Sequence, residues 1–472
     1  MNPNPNISPW LYQLKRTRPV DIISGDLTTD IVVVGGGISG IMTAYFLLKH
    51  TNREITLVEG SKVAHGATGH NAGQIVSEFE RPFTDLVREY GLQKAVDAEE
   101  NTLYSWVLLD EIYAEAKLQT PLSSFMGYNG YKHRAHVVDA LKANLLRQYA
   151  GTVTNPVYIA KEWLLRNKLP EEFKDLFQTV PQSDILSLLE TENTEYICAT
   201  ALKKGCVNSA LLSEEIVGYL LATFKARFRL FEHTSVALAS LNKDNVNLAV
   251  MTNRKDGNPE EGYQMHCNQV ILCTNGFERI RIKNNSGDEI DAKFHHMVNG
   301  DIGYMAAYIE DLNHPPTALG YYDQDETDSV NIDAYNDIPY VYKTRRPYEL
   351  EKNEMHNLIC IGGPEQQVAE TQDYDRYAPF IKEKGEIIDD FVRKNVLNHK
   401  DKTLEYKFKW HGIMCYTPSN MRVVGSEPKN PLLYYNLGCN GVGIMTSIFG
   451  GYKIAKMFVG EKFAPSIFDP KK

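Results

Sequence analysis

The chain has 472 residues, of which 43% are hydrophobic and 23% are charged. This composition is typical of a globular protein and excludes a mainly disordered, collagen-like or coiled-coil chain. The 50 Lys and Arg residues against 60 Asp and Glu residues give a net charge of −10, so no overall basic field favours nucleic-acid binding. At about 150 residues per domain, the length predicts two large domains or three smaller ones.

Cysteine spacing and hydropathy give no sign of an extracellular or membrane protein. The seven cysteines are scattered and include no Cys-x-x-Cys pair, which argues against a disulfide framework or a zinc ribbon. Residues 1–10 lack the apolar region of a secretory signal. The most apolar stretch, residues 441–460, is interrupted by glycines and by Lys453 and Lys456, and we interpret it as a buried helix. We therefore expect a cytoplasmic protein without a transmembrane segment.

A nucleotide-binding motif opens the first predicted unit. Residues 30–34 are rich in β-branched side chains and predict a strand that is buried on both faces of a parallel sheet. Gly35, Gly37 and Gly40 follow with Gly-x-Gly-x-x-Gly spacing, and Ile38 and Ser39 begin a predicted helix. The three glycines permit a tight turn, close approach of a pyrophosphate and close helix–strand packing. The free N–H groups of the helix N-terminus would face the phosphates.

A second predicted strand, residues 54–58, ends at Glu59 and Gly60. An acidic residue at this place accepts hydrogen bonds from a ribose 2′-hydroxyl. Glu59 therefore disfavours a 2′-phosphate, but it does not distinguish FAD from NAD. The next residues, 66–74, form a loop of small side chains where a nicotinamide-binding unit normally continues into another strand and helix.

This order of elements resembles the FAD-dependent D-amino-acid oxidase superfamily, and its N-terminal third is most similar to the γ-glutamylputrescine oxidoreductase branch. That branch has a Gly-Ala-Ser-Gly-Arg-Asn-Gly-Gly-Gln loop, which residues 66–74 match with Thr68 in place of Ser, His70 in place of Arg and Ala72 in place of Gly. The resemblance implies that this loop lies beside the isoalloxazine ring and the pyrophosphate of FAD. The loop residues assigned to the cofactor are Gly66, Ala67, Thr68, Asn71, Ala72, Gly73 and Gln74.

Later segments continue the resemblance in the same order. Residues 205–211 resemble a Gly-x-x-Asn-Pro-x-x-Leu segment and precede a predicted helix over 212–227 and a strand over 229–234. The family places Val236 against the adenine, and Thr274 and Gly276 on the turn that returns under the dinucleotide. After a turn with Ser419 in place of the usual Asp, a strand and a final helix close the domain. The resemblance assigns five residues to the pyrimidine edge of the flavin; they are Gly438, Gly441, Val442, Gly443 and Ile444.

One cysteine bears on how the flavin is attached. Part of the family binds flavin covalently through the Cys of a Cys-Met-Tyr-Thr motif, and this chain has Met414-Cys415-Tyr416-Thr417. A shift of one residue along a strand turns the Cys415 side chain to the opposite face. We therefore predict non-covalent FAD.

The predicted fold class is α/β. The FAD-binding domain is Rossmann-like, of the glutathione-reductase type, and is assembled from residues 28–120, 200–295 and 405–465. It is interleaved with an α+β substrate domain that has an antiparallel sheet, from residues 121–199 and 296–404, and residues 1–27 form an N-terminal arm. Within the substrate domain, residues 159–192 are predicted to be helical, as a lid or a covering element.

The catalytic candidates are Tyr340, Tyr342 and His70. Alternation places the two tyrosines on one face of one strand. They belong to a segment, residues 321–342, that is rich in Tyr and Asp; it is either a site for a cationic amine or a solvated acidic loop. Arg345 and Arg346 would pair a substrate carboxylate or lie at the surface, and His295 and His296 would lie near the ring or be structural. No set of residues has metal-ligand spacing.

We expect an FAD-dependent oxidoreductase that oxidises the C–N bond of an amine or amino acid by hydride transfer to flavin N5, giving an imine that hydrolyses. The substrate is γ-glutamylputrescine-like, and oxygen or a quinone-type acceptor reoxidises the flavin. Two alternatives stay open. One is an NAD-dependent dehydrogenase, and the other is a non-catalytic flavin-binding assembly or sensor protein.

Overall fold

The computed structural model describes residues 6–252, 261–276, 280–292, 297–322, 340–368, 374–396 and 404–471. Its α-helices, in chain order, are α1 Pro9–Gln13, α2 Ile38–His50, α3 Phe83–Tyr90, α4 Leu92–Ala116, α5 Arg134–Ala150, α6 Lys161–Leu164, α7 Gln182–Leu188, α8 Ser209–Thr223, α9 Lys382–Asn395 and α10 Gly443–Phe458. Single 3-10 turns are formed by Ala67–Gly69 and Glu171–Phe173.

The strands number twenty-one within the described ranges. The first ten are β1 Leu27–Thr28, β2 Ile31–Val34, β3 Ile55–Val58, β4 Gln74–Val76, β5 Leu122–Tyr131, β6 Val157–Ala160, β7 Gln178–Val180, β8 Cys198–Val207, β9 Phe228–Phe231 and β10 Thr234–Leu241. The others are β11 Val246–Thr252, β12 Gly262–Cys267, β13 Gln269–Leu272, β14 Arg281–Asn284, β15 Asn299–Glu310, β16 Thr317–Tyr322, β17 Tyr340–Glu351, β18 Glu354–Val368, β19 Phe408–Tyr416, β20 Val423–Glu427 and β21 Asn430–Leu437.

A six-stranded sheet has the order β20-β21-β13-β2-β3-β9 and is parallel except for β20. All four residues of β2 and of β3 are buried, as their β-branched runs predict. Helices α2 and α10 pack on one face, where a Cβ at Gly451 would lie 2.8 Å from the backbone of Met42. The carboxyl end of β2 therefore lies in the middle of the sheet, where a ligand binds in open α/β sheets.

The second sheet is a five-stranded layer with the order β1-β12-β11-β10-β14. Strands β10, β11 and β12 form an antiparallel meander, and β1 and β14 add parallel edges. Its alternating buried residues, Val246, Leu248 and Val250, pack on the six-stranded sheet in one apolar cluster with Val32 and Val270.

The third sheet has ten strands in the order β19-β15-β18-β17-β16-β5-β8-β6-β7, with β4 also paired to β8. Most of its neighbours are antiparallel. The predicted fold class, an α/β flavin-type domain interleaved with an antiparallel α+β part, is confirmed. The division into residue ranges stays a prediction, and β4, β8 and β19 reach from the predicted flavin ranges into this third sheet.

The helical prediction for residues 159–192 is wrong for most of that range. The segment contains β6, two short helices, a 3-10 turn and β7. Pro170 and Pro181 stand at the N-caps of the 3-10 turn and of α7. Each proline restricts the residue before it to extended backbone and so ends any continuous helix. The final helix is confirmed as α10, and no helix of the described residues is long and apolar enough to cross a membrane.

Candidate active site

The turn after β2 brings three chain segments closer together than side chains allow. A Cβ at Gly35, whose φ is +109°, would lie 2.7 Å from the Cys273 carbonyl oxygen. A Cβ at Gly40 would lie 1.8 Å from the Gly35 carbonyl oxygen. Gly37, the N-cap of α2, provides no side-chain cap. The first turn of α2 is thus open to an anion at its positive end.

A cavity of about 970 Å³ extends from this turn between the sheets, and we call it the cofactor cavity. Most of the residues that the sequence assigned to the cofactor line it. They are Gly35, Gly37, Ile38, Ser39, Glu59, Gly60, Gly66, Ala67, Thr68, Asn71, Ala72, Gln74, Val236, Thr274, Gly441, Val442, Gly443 and Ile444. Gly40, Gly73, Gly276 and Gly438 are not among the lining residues and pack against other protein atoms.

Glu59 closes the end of β3 against the glycine turn. Its Oε2 accepts a hydrogen bond of 2.7 Å from the Gly36 N–H, and its Oε1 accepts one of 2.8 Å from the Ser61 N–H. Burial raises the pKa of Glu59, against the effect of these two donors. The carboxyl is therefore fixed at the edge of the cavity where the second strand ends.

The small-residue loop after β3 is held by the N-terminal arm and by Arg346. Trp10 donates from Nε1 to the Asn71 carbonyl at 2.6 Å, and Ser8 donates to the Gly69 carbonyl. The Arg346 guanidinium lies 4.4 Å from the Trp10 ring and donates to the carbonyls of Ala72 and Gly73. The loop thus has fixed backbone on the side away from the cavity.

His70 lines the cofactor cavity but not the cavity beside it. Its Nδ1 lies 3.0 Å from the Gly66 carbonyl oxygen and its Nε2 lies 3.4 Å from that of Asn6. Burial lowers the pKa of His70, which favours the neutral ring. These contacts are those of a loop anchor, and the catalytic role of His70 stays a prediction.

Arg422 is a cofactor-cavity residue that the sequence reasoning missed. It is 4% exposed, and its Nη2 donates to Ser39 Oγ at 2.7 Å while its Nε donates to Asn436 Oδ1 at 2.6 Å. It therefore places a positive charge beside the first turn of α2. The sequence feature that could have indicated this role is the position of Arg422, a single basic residue just after the Thr417-Pro418 turn of the closing segment.

The two sulfur residues of β19 point in opposite directions, as the strand alternation predicts. Met414 lines the cofactor cavity, whereas Cys415 is fully buried and is not among the lining residues. Cys439 does line the cavity, and its Sγ accepts a hydrogen bond of 3.2 Å from the Cys415 N–H. All seven cysteines are free.

A second cavity, of about 870 Å³, adjoins the first, and we call it the substrate cavity. Side chains shared by both cavities define the junction; they are Gln74, Val76, Glu80, Tyr340, Tyr342, Pro364, Glu365 and Val442. Tyr340 and Tyr342 lie on one face of β17, as predicted. A Cβ at Gly362 would lie 2.3 Å from the Tyr342 phenol oxygen, so this glycine admits the ring.

Two carboxyls stand at the junction, and the sequence reasoning found neither. Glu80 is half-buried, and it accepts hydrogen bonds from the phenols of Tyr416 at 2.8 Å and Tyr340 at 3.3 Å. Glu365 is exposed to the cavity space. Desolvation raises the pKa of Glu80 to about 7 and that of Glu365 to about 8. Within the described ranges, no Lys or Arg forms an ion pair with either carboxyl.

The family model for FAD dependent oxidoreductases matches residues 30–457. The chain belongs to this family. It is an FAD-dependent oxidoreductase, and the match supports FAD over the NAD alternative. The assignment agrees with the cofactor cavity, whose glycine turn, helix N-terminus and buried Arg422 suit a pyrophosphate.

Curated relatives match over short stretches. γ-Glutamylputrescine oxidoreductase of Escherichia coli (strain K12) is 32% identical over 77 residues, which is 16% of this chain and 18% of that protein. A putative Rieske 2Fe-2S iron-sulfur protein of Bacillus subtilis (strain 168) is 32% identical over 90 residues, 18% of each chain. The chain thus spans about a fifth of the length of the curated relatives it matches.

Solved structures match over nearly the whole fold. Glycine oxidase from Geobacillus kaustophilus has a TM-score of 0.63 at 14% identity, covering 94% of this chain and 98% of that one. L-proline dehydrogenase from P. horikoshii has a TM-score of 0.64 at 14% identity, covering 94% and 97%. At these identities the likeness shows the fold alone.

FAD fits the residues that line the cofactor cavity. A Cβ at Gly66 would have no atom within 4 Å, so the loop leaves open space on that side. Thr68 Oγ1 accepts from the Ile38 N–H at 2.9 Å and ties the loop to the first turn of α2. The described part of the chain contains no group of three His, Cys, Asp or Glu side chains that could hold a metal ion.

Arg345 and Arg346 are buried, so the surface interpretation is wrong. Arg345 forms an ion pair of 2.6 Å with Glu190, and Arg346 holds the loop, so neither lines the cavities as a carboxylate site. The prediction failed because β17 continues to Glu351, so both arginines lie within a strand where they are buried and not in a loop after it. His295, His296, Tyr335 and the aspartates of residues 323–337 lie outside the described residues.

Proposed function

We propose that the protein oxidises the C–N bond of an amine that enters the substrate cavity as an ammonium ion. The observation that carries this proposal is the pair of junction carboxyls, Glu80 and Glu365, which lie between the two cavities without an ion-pairing Lys or Arg among the described residues. The charge of Glu80 adds to the desolvation that raises the pKa of Glu365, as a nearby like charge does. A substrate cation would relieve this repulsion.

Aromatic rings support the same class of substrate. Tyr131, Tyr322 and Tyr340 form a stacked row along the substrate cavity, with ring centroids 5.0 Å and 5.3 Å apart. Tyr342 follows at 5.9 Å from Tyr340. Ring faces attract ammonium groups, most strongly where water is excluded. The row lines the substrate cavity as far as Tyr340, whose phenol donates to Glu80 at the junction.

The far part of the substrate cavity is polar, which favours an amine with a polar tail. Lys204 is 2% exposed and donates to Asn129 Oδ1 at 2.6 Å, and Asn129 donates to Glu78 at 3.1 Å. An ammonium has three donors, so Lys204 has donors left for a substrate oxygen. The relative named γ-glutamylputrescine oxidoreductase suggests γ-glutamylputrescine as the first substrate to test.

Bound FAD supplies the acceptor for the hydride equivalent, and the chain holds the amine and excludes water. The proposal includes a cytoplasmic location and reoxidation of the flavin by oxygen or a quinone-type acceptor. Tyr340 and Tyr342 act as substrate-contacting residues at the junction, and Arg422 with the first turn of α2 neutralises the pyrophosphate.

The test mixes the purified holoprotein without oxygen with γ-glutamylputrescine, putrescine, glycine, sarcosine and D-amino acids, each in turn. The loss of the flavin absorbance at about 450 nm measures reduction of the flavin. Bleaching by an amine supports the proposal. Glu365→Gln should weaken the apparent affinity for that amine, whereas Glu192→Gln, at an exposed position on the surface, should not. No bleaching by any amine would overturn the proposal and favour the non-catalytic alternative.

A further inference from the structure

Glu80 is positioned by the segment that follows the small-residue loop. Along residues 74–80 the cavities are lined by Gln74, Val76, Glu78, Phe79 and Glu80, whereas Ile75 and Ser77 are buried, so the strand alternation of β4 continues as far as Glu78. Only Glu80 of the two carboxyls in this run reaches both cavities. The segment that follows β4 therefore brings one of its two carboxyls to the junction.

Three contacts fix the Glu80 carboxyl. Tyr416 donates to Oε2 and Tyr340 donates to Oε1. On the other side the carboxyl lies against the turn before α10, because a Cβ at Gly441 would be 1.8 Å from Oε1. Gly441 lines the cofactor cavity, so the Glu80 oxygens lie beside the turn before α10, and Glu80 also reaches the substrate cavity.

We propose that Glu80 is the catalytic base, which takes a proton from the bound ammonium so that oxidation starts from the neutral amine. This inference rests on the proposed function. An ammonium nitrogen has no lone pair to form a C=N bond, so a proton has to leave before the hydride does. A base within hydrogen-bond reach of the nitrogen removes this barrier.

The steps balance as follows. An N–H bond of the ammonium breaks, its electron pair stays on nitrogen and its proton joins a Glu80 oxygen. A C–H bond on the carbon attached to that nitrogen would then break as the nitrogen lone pair forms the C=N bond, and the hydride would pass to FAD bound in the cofactor cavity. Water hydrolyses the resulting iminium to a carbonyl compound and an ammonium or amine. Glu80 returns its proton to solvent when the product leaves.

The surroundings of Glu80 suit a group that holds a proton during the reaction. Its raised pKa of about 7 means that it gains and loses a proton near neutral pH. Several elements contribute titratable groups toward it. They are Tyr340 and Tyr342 on β17, Glu365 on β18, Asp301 on β15, Tyr416 on β19 and Cys439 after β21. Cys439 and Asp301 raise the pKa of Glu80 and so favour its uptake of a proton. The hydrogen bonds from the phenols of Tyr416 and Tyr340 act in the opposite direction and lower it.

Glu365 provides the matched comparison. It shares the junction, but no hydrogen bond from a phenol fixes its carboxyl among the described residues. We assign Glu365 to attraction of the cation and Glu80 to proton transfer. Glu365→Gln should therefore change binding, whereas Glu80→Gln should change the rate and its pH dependence.

The experiment is anaerobic stopped-flow reduction of the flavin at saturating amine between about pH 6 and pH 10. The wild-type rate constant should rise with pH through an apparent pKa near that of Glu80. Glu80→Gln should be about 100-fold slower or more at neutral pH and recover only as the amine in solution becomes neutral. Glu192→Gln, at an exposed position on the surface, should keep the wild-type profile. Unchanged flavin content and an unchanged flavin absorbance spectrum show that each variant retains the cofactor cavity.

Tyr416→Phe tests the proposal if Glu80→Gln does not fold. It keeps the carboxyl but removes the donor that lowers the pKa of Glu80, so the rate profile should shift to higher pH. A Glu80→Gln rate within about threefold of wild type, with the same profile, would overturn the role of Glu80. Failure of every amine to reduce the wild-type flavin at any pH would instead overturn the proposed function.

Discussion

The phenol of Tyr416 donates a hydrogen bond of 2.8 Å to Oε2 of Glu80, which precedes it by 336 residues. This contact joins the segment after the small-residue loop to the end of β19. It places a carboxyl and a phenol at the junction of the cofactor and substrate cavities. The arrangement gives the junction its chemistry.

The flavin is expected to be released by acid precipitation. Met414 faces the cofactor cavity and Cys415 faces away from it, so the residue at the attachment position has no thiol. All of the FAD should therefore appear in the supernatant, measured by its absorbance. A yellow pellet would contradict this prediction, and Cys439→Ser and Cys415→Ser would then show which thiol holds the flavin.

Arg422→Gln should weaken FAD binding by about 10- to 100-fold, because a hydrogen bond to a charged group is worth about 1.5–3 kcal/mol. The loss follows from removing the positive charge that sits beside Ser39 and the first turn of α2. Titration of apoprotein with FAD, followed by flavin fluorescence, measures the affinity. The exposed Arg393→Gln on α9 serves as the control. Equal affinity of Arg422→Gln and the control would refute the role of Arg422.

Arg346→Lys should lower the free energy of unfolding by about 3 kcal/mol. The guanidinium donates to the carbonyls of Ala72, Gly73 and Val207, and a single ammonium cannot span these acceptors while it stacks on Trp10. Urea unfolding of the two proteins gives the difference. Arg393→Lys, with the same change at an exposed site, should be neutral. A loss below about 1 kcal/mol would show that the loop is held by other contacts.

Glu80→Gln should stabilise the apoprotein at pH 8 more than at pH 5. The folded pKa of Glu80, about 7, lies above its ordinary value of 4.5. As the pH rises between these values, the unfolded chain gives up the proton first, so the wild type progressively loses stability. One pKa unit corresponds to about 1.4 kcal/mol, and we expect at least this gain at pH 8.

Urea unfolding at the two pH values measures that gain, with Glu192→Gln at an exposed position as the control. The difference between the two pH values isolates the titration from any constant effect of the substitution. A Glu80→Gln difference that is equal at pH 5 and pH 8 would show that Glu80 titrates in the folded protein as it does in the unfolded chain.

Local sequence was enough to predict the cofactor half of the site. The strand, glycine turn and helix of residues 30–50 are contiguous in the chain. The spacing of the glycines alone indicates where the backbone turns tightly or approaches another segment closely. The family resemblance then placed the later segments, and the fold class is confirmed. The same resemblance could not give Arg422, whose value depends on a distant contact with Ser39.

The substrate half was not predictable in the same way. Glu80 and Glu365 become a pair only because β18 and the segment after β4 meet at the junction, and nothing near either residue marks it. Tyr340 and Tyr342 were found because strand alternation is a local rule. Arg345 and Arg346 were misjudged since burial of a charge depends on partners such as Glu190 that are far along the chain.

The most direct test of the account compares γ-glutamylputrescine with the same molecule acetylated on its terminal amine. Both have nearly the same length and keep the glutamyl end with its α-ammonium and carboxylate, but only the first carries an ammonium at the terminal carbon. Anaerobic titration of the holoprotein should reduce the flavin fully with the amine and leave it oxidised with the acetylated form. Equal reduction by both, or by neither, would contradict oxidation of an amine that is recognised by its charge.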